Sequence, residues 1–178
     1  YWRGQGRRVL VPMCGKTVDM LWLEEQGNSV VGVELSDIAA RAFFEENRLR
    51  YTIREGRLPA YAALDREITI YCGDLFDFDE AGHTGWYDRG ALVAIPAEQR
   101  PAYAKHISAL VAADACKLLI TLDYDDDIAT GPPFSISREE IRHYWPDLRE
   151  IDRYDDIDNG PPKFRDAGLK EMFETVWR

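Results

Sequence analysis

Hydrophobic and polar positions change period twice within the first third of the chain. Val9, Leu10 and Val11 form a short unbroken apolar run stopped by Pro12, the pattern of a strand buried on both faces. A tight loop follows, Met13-Cys14-Gly15-Lys16. From Thr17 the spacing is helical, with Val18, Leu21, Trp22 and Glu25 on a common face. Gly27 is placed to end that helix. A second apolar run, Val30-Val31-Gly32-Val33, then ends on an acid, Glu34, and Ser36 with Asp37 can cap a second helix through Ile38, Ala39, Ala42 and Phe43.

Further along, periodicity fails from Tyr51 to Asp65, where Gly56 and Pro59 mark an irregular excursion. Ile68–Cys72 predicts a third strand leading into Gly73-Asp74-Leu75-Phe76-Asp77. Trp86 to Ile95 reads as a fourth strand, interrupted by Asp88 and Arg89 and ended by Pro96. Ala97 to Ala112 predicts a helix with Tyr103, Ile107, Leu110 and Val111 on one face. Lys117 to Leu122 predicts a fifth strand running into Asp123-Tyr124-Asp125-Asp126-Asp127. Gly131-Pro132-Pro133 is a rigid turn, and Ser137 starts a helix, with Glu140 completing a capping box. Two late segments, Leu148 to Tyr154 and Lys170 to Trp177, read as extended and form an antiparallel hairpin at one sheet edge. Alternating strands and helices predict an α/β fold: a doubly wound, mostly parallel sheet with an antiparallel C-terminal hairpin.

Composition narrows the partners more than the fold. At 178 residues the expectation is one domain, 1–178. The 22 basic and 32 acidic side chains give a net charge of −10. No basic stripe offsets it, so neither nucleic acid nor an anionic membrane surface is expected as partner. Cys14, Cys72 and Cys116 are few and follow no C-x-x-C spacing, which fits a reducing, cytoplasmic compartment. No apolar run approaches the ~20 residues of a membrane span. The expectation is a monomer acting on a small molecule.

Candidate chemistry starts from strand, glycine turn, helix, and strand ending in a carboxylate, the first half of a nucleotide-binding sheet. A phosphate-cradling loop of the G-x-x-x-x-G-K-[ST] kind needs a glycine where Leu10 stands. A dinucleotide loop wants G-x-G-x-x-G to hug a pyrophosphate. With one glycine and an aliphatic Met13, this loop suits a cofactor without phosphates, and with Glu34 it leans towards S-adenosylmethionine (SAM). Ligands in such sheets sit beyond the carboxyl ends of strands, where this chain has Met13 to Lys16, Glu34, Asp74 with Leu75, Asp88 with Arg89, and Asp123 to Asp127. Each has a plainer reading: Glu34 as a solvated strand end, Asp74 as a turn cap, Leu75 as core, Arg89 as an ion-pair partner of Asp88. The Asp123-Asp125-Asp127 run imitates a calcium loop, but Ile128 and Phe134 occupy its glycine and glutamate positions. His83, His106 and His143 lack metal-ligand spacing, so no metal is expected. Cys14, at a helix start, could act as a nucleophile, but no histidine is placed to serve it and loop packing is the preferred role.

The blocks VLVPMCGKTVDMLWL, VVGVELS, FFEEN, YCGDLFD, YDRGALVAIP, GPPFS (Gly131 to Ser135) and KFRDAGLKEMFETVW together resemble the thiopurine S-methyltransferase family, SAM-dependent class I methyltransferases of Rossmann-like fold. The likeness is to its bacterial members. The blocks run in family order over nearly the whole chain. The resemblance implies that Met13, with Gly15 in the same loop, touches SAM and that Glu34 binds its ribose. It also implies that Asp74 and Leu75 lie beside the adenine. Arg89 then lies by the reacting centre within reach of SAM and substrate. The family carries a lead-in segment that closes over SAM and substrate. Here only Tyr1-Trp2-Arg3-Gly4 precedes the first strand closely, with Trp2 as a remnant of that lid, and the lid itself is read as missing.

The expected reaction moves a methyl group from SAM to a small thiol such as a thiopurine, with selenium or tellurium species as other acceptors. Arg89 is expected to hold an anionic thiolate, and Asp88 to orient Arg89 rather than abstract a proton. Two alternatives stay open: a SAM-binding module without turnover, and an NAD-dependent oxidoreductase. Calorimetry with SAM, S-adenosylhomocysteine and NAD separates the ligands, and mass spectrometry of a methylated thiopurine separates enzyme from module.

Overall fold

A computed structural model describes residues 6–178; the reading of Trp2 as part of a lid lies outside the described residues. The chain divides into two compact units. One runs through Tyr87 and takes in His106–Ala115, and the other comprises Asp88–Lys105 and Cys116–Arg178.

The first unit is built on the opening motif. Strand β1 (Arg8–Val11) pairs in parallel with β2 (Ser29–Glu34), and β2 in parallel with β5 (Ile68–Cys72). On the other side β1 pairs in parallel with β6 (His83–Asp88). Winding outward from β1 to β2 and β5 and then back to β6 makes the carboxyl end of β1 the switch point of the sheet, where such folds open a ligand crevice. Val9, Leu10, Val30, Val33, Ile68 and Ile70 are all essentially solvent-free, as unbroken apolar runs require.

Helix α1 (Asp19–Glu25) lies between β1 and β2 in sequence, two residues later than the helix start expected at Thr17. It buries Met20 and Leu23, whereas Val18 is 63% and Trp22 46% exposed. The expected apolar face was therefore the wrong one. The reason is Gly32: a Cβ there would stand 3.1 Å from Met20 Sδ. The helix lies so close to β2 that its Met20 side takes the contact. Helix α2 (Asp37–Glu46) starts as expected, with Ser36 Oγ accepting from the Ala39 N–H at 3.2 Å. It buries Ala40, Phe43 and Phe44, while Ile38 is exposed.

The segment read as irregular is instead an antiparallel hairpin, β3 (Tyr51–Arg54) with β4 (Ala60–Ala63), and β4 also pairs antiparallel with β5. Phe44 anchors it, its ring stacked at 4.8 Å on Tyr51 and at 6.5 Å on Tyr61. The expected fourth strand starts earlier and stops at Asp88, not Ile95, giving way to a short 3-10 turn, Leu92–Ala94.

Helix α3 (Arg100–Leu110) buries Tyr103, Ala104, Ile107 and Leu110. It is shorter than the expected Ala97–Ala112, because the chain becomes extended at Val111 and continues as β7 (Val111–Asp123), twice the length read from Lys117 to Leu122. In the second unit β7 pairs antiparallel with β9 (Phe173–Trp177), which pairs antiparallel with β8 (Glu150–Asp155). This is the expected C-terminal hairpin. Trp177 Nε1 donates to Thr121 Oγ1 at 2.8 Å, satisfying a buried indole. Helix α4 (Arg138–Tyr144) is capped by Ser137 Oγ at the Glu140 N–H. The Glu140 carboxylate is bonded to Arg100 at 2.8 Å rather than completing the box. A short α5 (Pro162–Asp166) buries Phe164.

Candidate cofactor and acceptor sites

At the end of β1 the backbone turns on two left-handed residues, Met13 at φ 45° and Gly15 at φ 52°. No atom lies within 4 Å of a Cβ built on Gly15, so the glycine serves conformation rather than space. A non-glycine residue in this region is uncommon and marks a held loop. Two groups hold it. Cys14 N–H donates to Val33 O at 3.0 Å, and Gly15 N–H donates to Glu34 Oε2 at 2.8 Å. The other carboxylate oxygen, Oε1, accepts from Ser36 N–H at 2.8 Å. Glu34 is thus a half-buried acid fixed by two amides, and each oxygen keeps a further lone pair for a hydroxyl.

Cys14 itself points inward. Its Sγ would stand 2.6 Å from a Cβ on Gly32, so thiol and glycine share one space under the loop. Burial, with the Glu34 charge as a lesser cause, pushes the thiol's pKa far up. It therefore stays protonated and is a poor nucleophile.

The turn after β5 lies against the same strand end, because Gly73 N–H donates to Glu34 O at 2.9 Å. Asp74 Oδ1 accepts from Phe76 N–H at 2.9 Å, and Leu75 is buried. Both plainer readings are therefore satisfied as local contacts. The Leu75 carbonyl lies 2.8 Å from His106 Nε2, and the half-exposed Phe76 ring packs by the same imidazole at 5.5 Å. The first unit thus brings together the Met13–Gly15 loop, Glu34 and the Asp74–Leu75 turn.

Asp88 and Arg89 open the second unit. Asp88 is 1% exposed, and its carboxylate accepts the Ala91 N–H at 2.9 Å and the Leu92 N–H at 3.3 Å. Tyr103, fully buried on α3, donates its hydroxyl to Asp88 Oδ2 at 2.5 Å. Burial raises the Asp88 pKa to about 6, with the Tyr103 hydroxyl and the Leu92, Ala91 and Gly90 amides opposing it. The arginine side chain that follows is exposed. Tyr103 was legible from sequence only as an apolar-face residue; its hydroxyl contact with Asp88 carried no local signal.

In the acidic run at the end of β7, Asp123 accepts from Arg153 at 2.8 Å and Asp125 from the Asp127 N–H at 3.1 Å. Among the described residues no group of three His, Cys, Asp or Glu side chains is placed to hold a metal. A hollow of about 680 Å³ in the first unit lies by Arg8, Ser29 and Glu67, at the amino ends of the parallel strands. That is the opposite end of the sheet from the Glu34 loop, and chemistry in such sheets favours the carboxyl end.

A family model described as thiopurine S-methyltransferase matches residues 3–178. The thiopurine S-methyltransferase of Bordetella petrii is 47% identical over 97% of this chain and 81% of its own length. That of Photobacterium profundum is 40% identical over 96% and 79%. Among solved structures, the 1,6-didemethyltoxoflavin-N1-methyltransferase of Burkholderia thailandensis, with S-adenosylhomocysteine bound, matches with a TM-score of 0.62 at 17% identity, covering 98% of this chain and 72% of that one. The arsenic(III) SAM methyltransferase of Chlamydomonas reinhardtii matches with a TM-score of 0.67 at 11% identity, covering 98% and 63%. At these identities the structures establish the class I methyltransferase fold.

Proposed function

This chain belongs to the thiopurine S-methyltransferase family and is a SAM-dependent S-methyltransferase; from that premise we propose that its acceptor is a small thiol, such as a thiopurine, held as its anion by Arg89. The NAD alternative and the module without turnover both give way to this family assignment. The two units are read as one methyltransferase domain, supported by a family match that runs through both.

When bound, SAM would supply a sulfonium-borne methyl group, with S-adenosylhomocysteine as the leaving group. The donor set in the first unit fits this cofactor. Glu34 is the observation that carries the reading: an acid locked by the Gly15 and Ser36 amides, with lone pairs left to accept two ribose hydroxyls. Met13 and Gly15 form a loop shaped for close approach without a phosphate cradle. Asp74 and Leu75, at the neighbouring strand end, are assigned to the adenine side.

The protein's remaining task is to hold two reactants in line, which is worth up to ~7–11 kcal/mol by orientation. Arg89 offers a planar fork of donors that can meet a thiolate and an adjacent ring nitrogen together. No general base is assigned, because aromatic thiols ionise readily. Selenium or tellurium species are acceptors of the same soft kind and belong to the same proposal. So does action as a cytoplasmic monomer without a nucleic-acid partner, supported by the net charge of −10 and by three cysteines without C-x-x-C spacing. Among the described residues no helix is long and apolar enough to cross a membrane.

The test is Arg89→Met, assayed by calorimetry with S-adenosylhomocysteine and by mass spectrometry of a methylated thiopurine. Cofactor affinity should hold while transfer falls about 10–100-fold, from loss of one charged hydrogen-bonding group. Lost cofactor binding with normal acceptor kinetics would move Arg89 into the cofactor pocket and end this assignment.

A further inference from the structure

The acid ahead of Arg89 is held by a group on a different element. Between Asp88 and Leu92 the chain makes a tight turn whose middle residues, Arg89 and Gly90, are exposed. The Asp88 carboxylate closes that turn from inside, with both oxygens 3.3 Å from the Leu92 nitrogen and Oδ1 2.9 Å from that of Ala91. Its third partner is the Tyr103 hydroxyl at 2.5 Å, from a side chain with no solvent exposure. That distance belongs to the strong class of O–H to carboxylate bonds.

The nearest charged side chain on α3 has partners of its own. Arg100, on the same helix as Tyr103, is spent on Ile95 O, Ser135 O and Glu140. The groups facing the Asp88 carboxylate are the Tyr103 hydroxyl and the N–H groups of Gly90, Ala91 and Leu92.

We propose that Tyr103 is a positioning residue for methyl transfer: by donating to Asp88 it fixes the turn that presents Arg89 to the acceptor. This rests on the reading that Arg89 faces the acceptor. Ionised, the carboxylate is acceptor-only, as these donor partners require. Protonated, it turns one oxygen into a donor and releases part of the turn. Asp88 titrates at about 6 against the pull of burial, and the Tyr103 hydroxyl is the largest opposing influence. Without it the acid takes up its proton at higher pH, so transfer should acquire an acid limb displaced upward.

The experiment compares the wild type with Tyr103→Phe from pH 5 to 9. The acceptor is an electron-poor aromatic thiol that is ionised throughout, so it adds no limb of its own. The wild type should lose kcat below about pH 6. In Tyr103→Phe that limb should move up by about one to two pH units, the size of one charge-assisted hydrogen bond. At pH 9 Tyr103→Phe should keep only the loss due to a looser turn, smaller than its loss near pH 6, and affinity for S-adenosylhomocysteine should be unchanged. Superimposable profiles, or an even loss at every pH, would overturn the proposal. Should Tyr103→Phe fail to fold, Asp88→Asn serves: it cannot ionise, so a limb that persists in it also overturns the proposal. If Arg89→Met transfers normally, the reading of Arg89 fails, and that is told apart from a wrong Tyr103 by which variant is silent.

Discussion

Replacing Glu34 tests whether one carboxylate serves both the loop and the cofactor. In Glu34→Ala the Gly15 and Ser36 amides lose an ionised acceptor at 2.8 Å each. Charged hydrogen bonds contribute about 1.5–3 kcal/mol when buried. Glu34 is half-buried and water replaces it in part, so the two together should lower folding stability by about 1–2 kcal/mol. Cofactor affinity should fall further, by about 2–3 kcal/mol or roughly 30–150-fold, because a ribose diol loses its acceptor and the loop loses its lock. Glu34→Gln keeps one carbonyl oxygen and can hold one of the two amides, so it should fall midway on both scales. Urea unfolding reads stability, and calorimetry with S-adenosylhomocysteine reads affinity. An alanine variant that binds like the wild type would remove Glu34 from the cofactor site. Equal stability in all three proteins would show that the amide contacts contribute nothing.

Other outcomes follow from the same contacts. Gly32→Ala places a methyl 2.6 Å from Cys14 Sγ and should destabilise the fold by about 1–3 kcal/mol in urea; adding Cys14→Ala should recover part of that loss, and strict additivity would refute the shared-space account. Cys14→Ser should keep methyl transfer within an order of magnitude, since a buried, protonated thiol takes no part in it; complete loss of turnover with cofactor binding intact would reinstate the thiol as a nucleophile. Asp88→Asn should flatten one leg of the stability–pH curve. In the wild type the folded-state pKa, about 6, lies above the unfolded ~3.9, so this contribution is full below about pH 4 and fades as pH rises through 6, by about 3 kcal/mol. Urea midpoints that track the wild type between pH 4 and 7 would show that Asp88 is not that group.

What could be read from sequence was whatever a single element declares on its own. Val9–Val11 and Val30–Val33 are buried on both faces, so they needed no partner to be recognised, and the loop and Glu34 came with them. The β3–β4 hairpin was missed because its strands are four residues long and one is Ala60-Tyr61-Ala62-Ala63, weak in intrinsic strand preference. Its order comes from pairing with β5 and from the Phe44 ring, both remote in sequence. Val111 and Ala112 read as the end of a helix and the alanine-rich stretch to Cys116 carries no strand pattern, yet all of it is extended as part of β7. On α1 the deciding contact was a close approach at Gly32, which helical periodicity does not carry. Asp88 was visible as a polar interruption of a strand; that Tyr103 would meet it required the fold.

The shared space of Cys14 and Gly32 has a chemical consequence of its own. An enzyme that alkylates sulfur must not alkylate itself, and this one carries a cysteine inside the loop assigned to its methyl donor. Turned beneath that loop and kept protonated by burial, Cys14 has neither the charge nor the exposure of an acceptor. Cys72, at the end of the β5 strand that leads into the adenine-side turn, is likewise shifted towards its neutral form by desolvation. Both thiols are thus held away from the thiolate form in which an acceptor sulfur reacts.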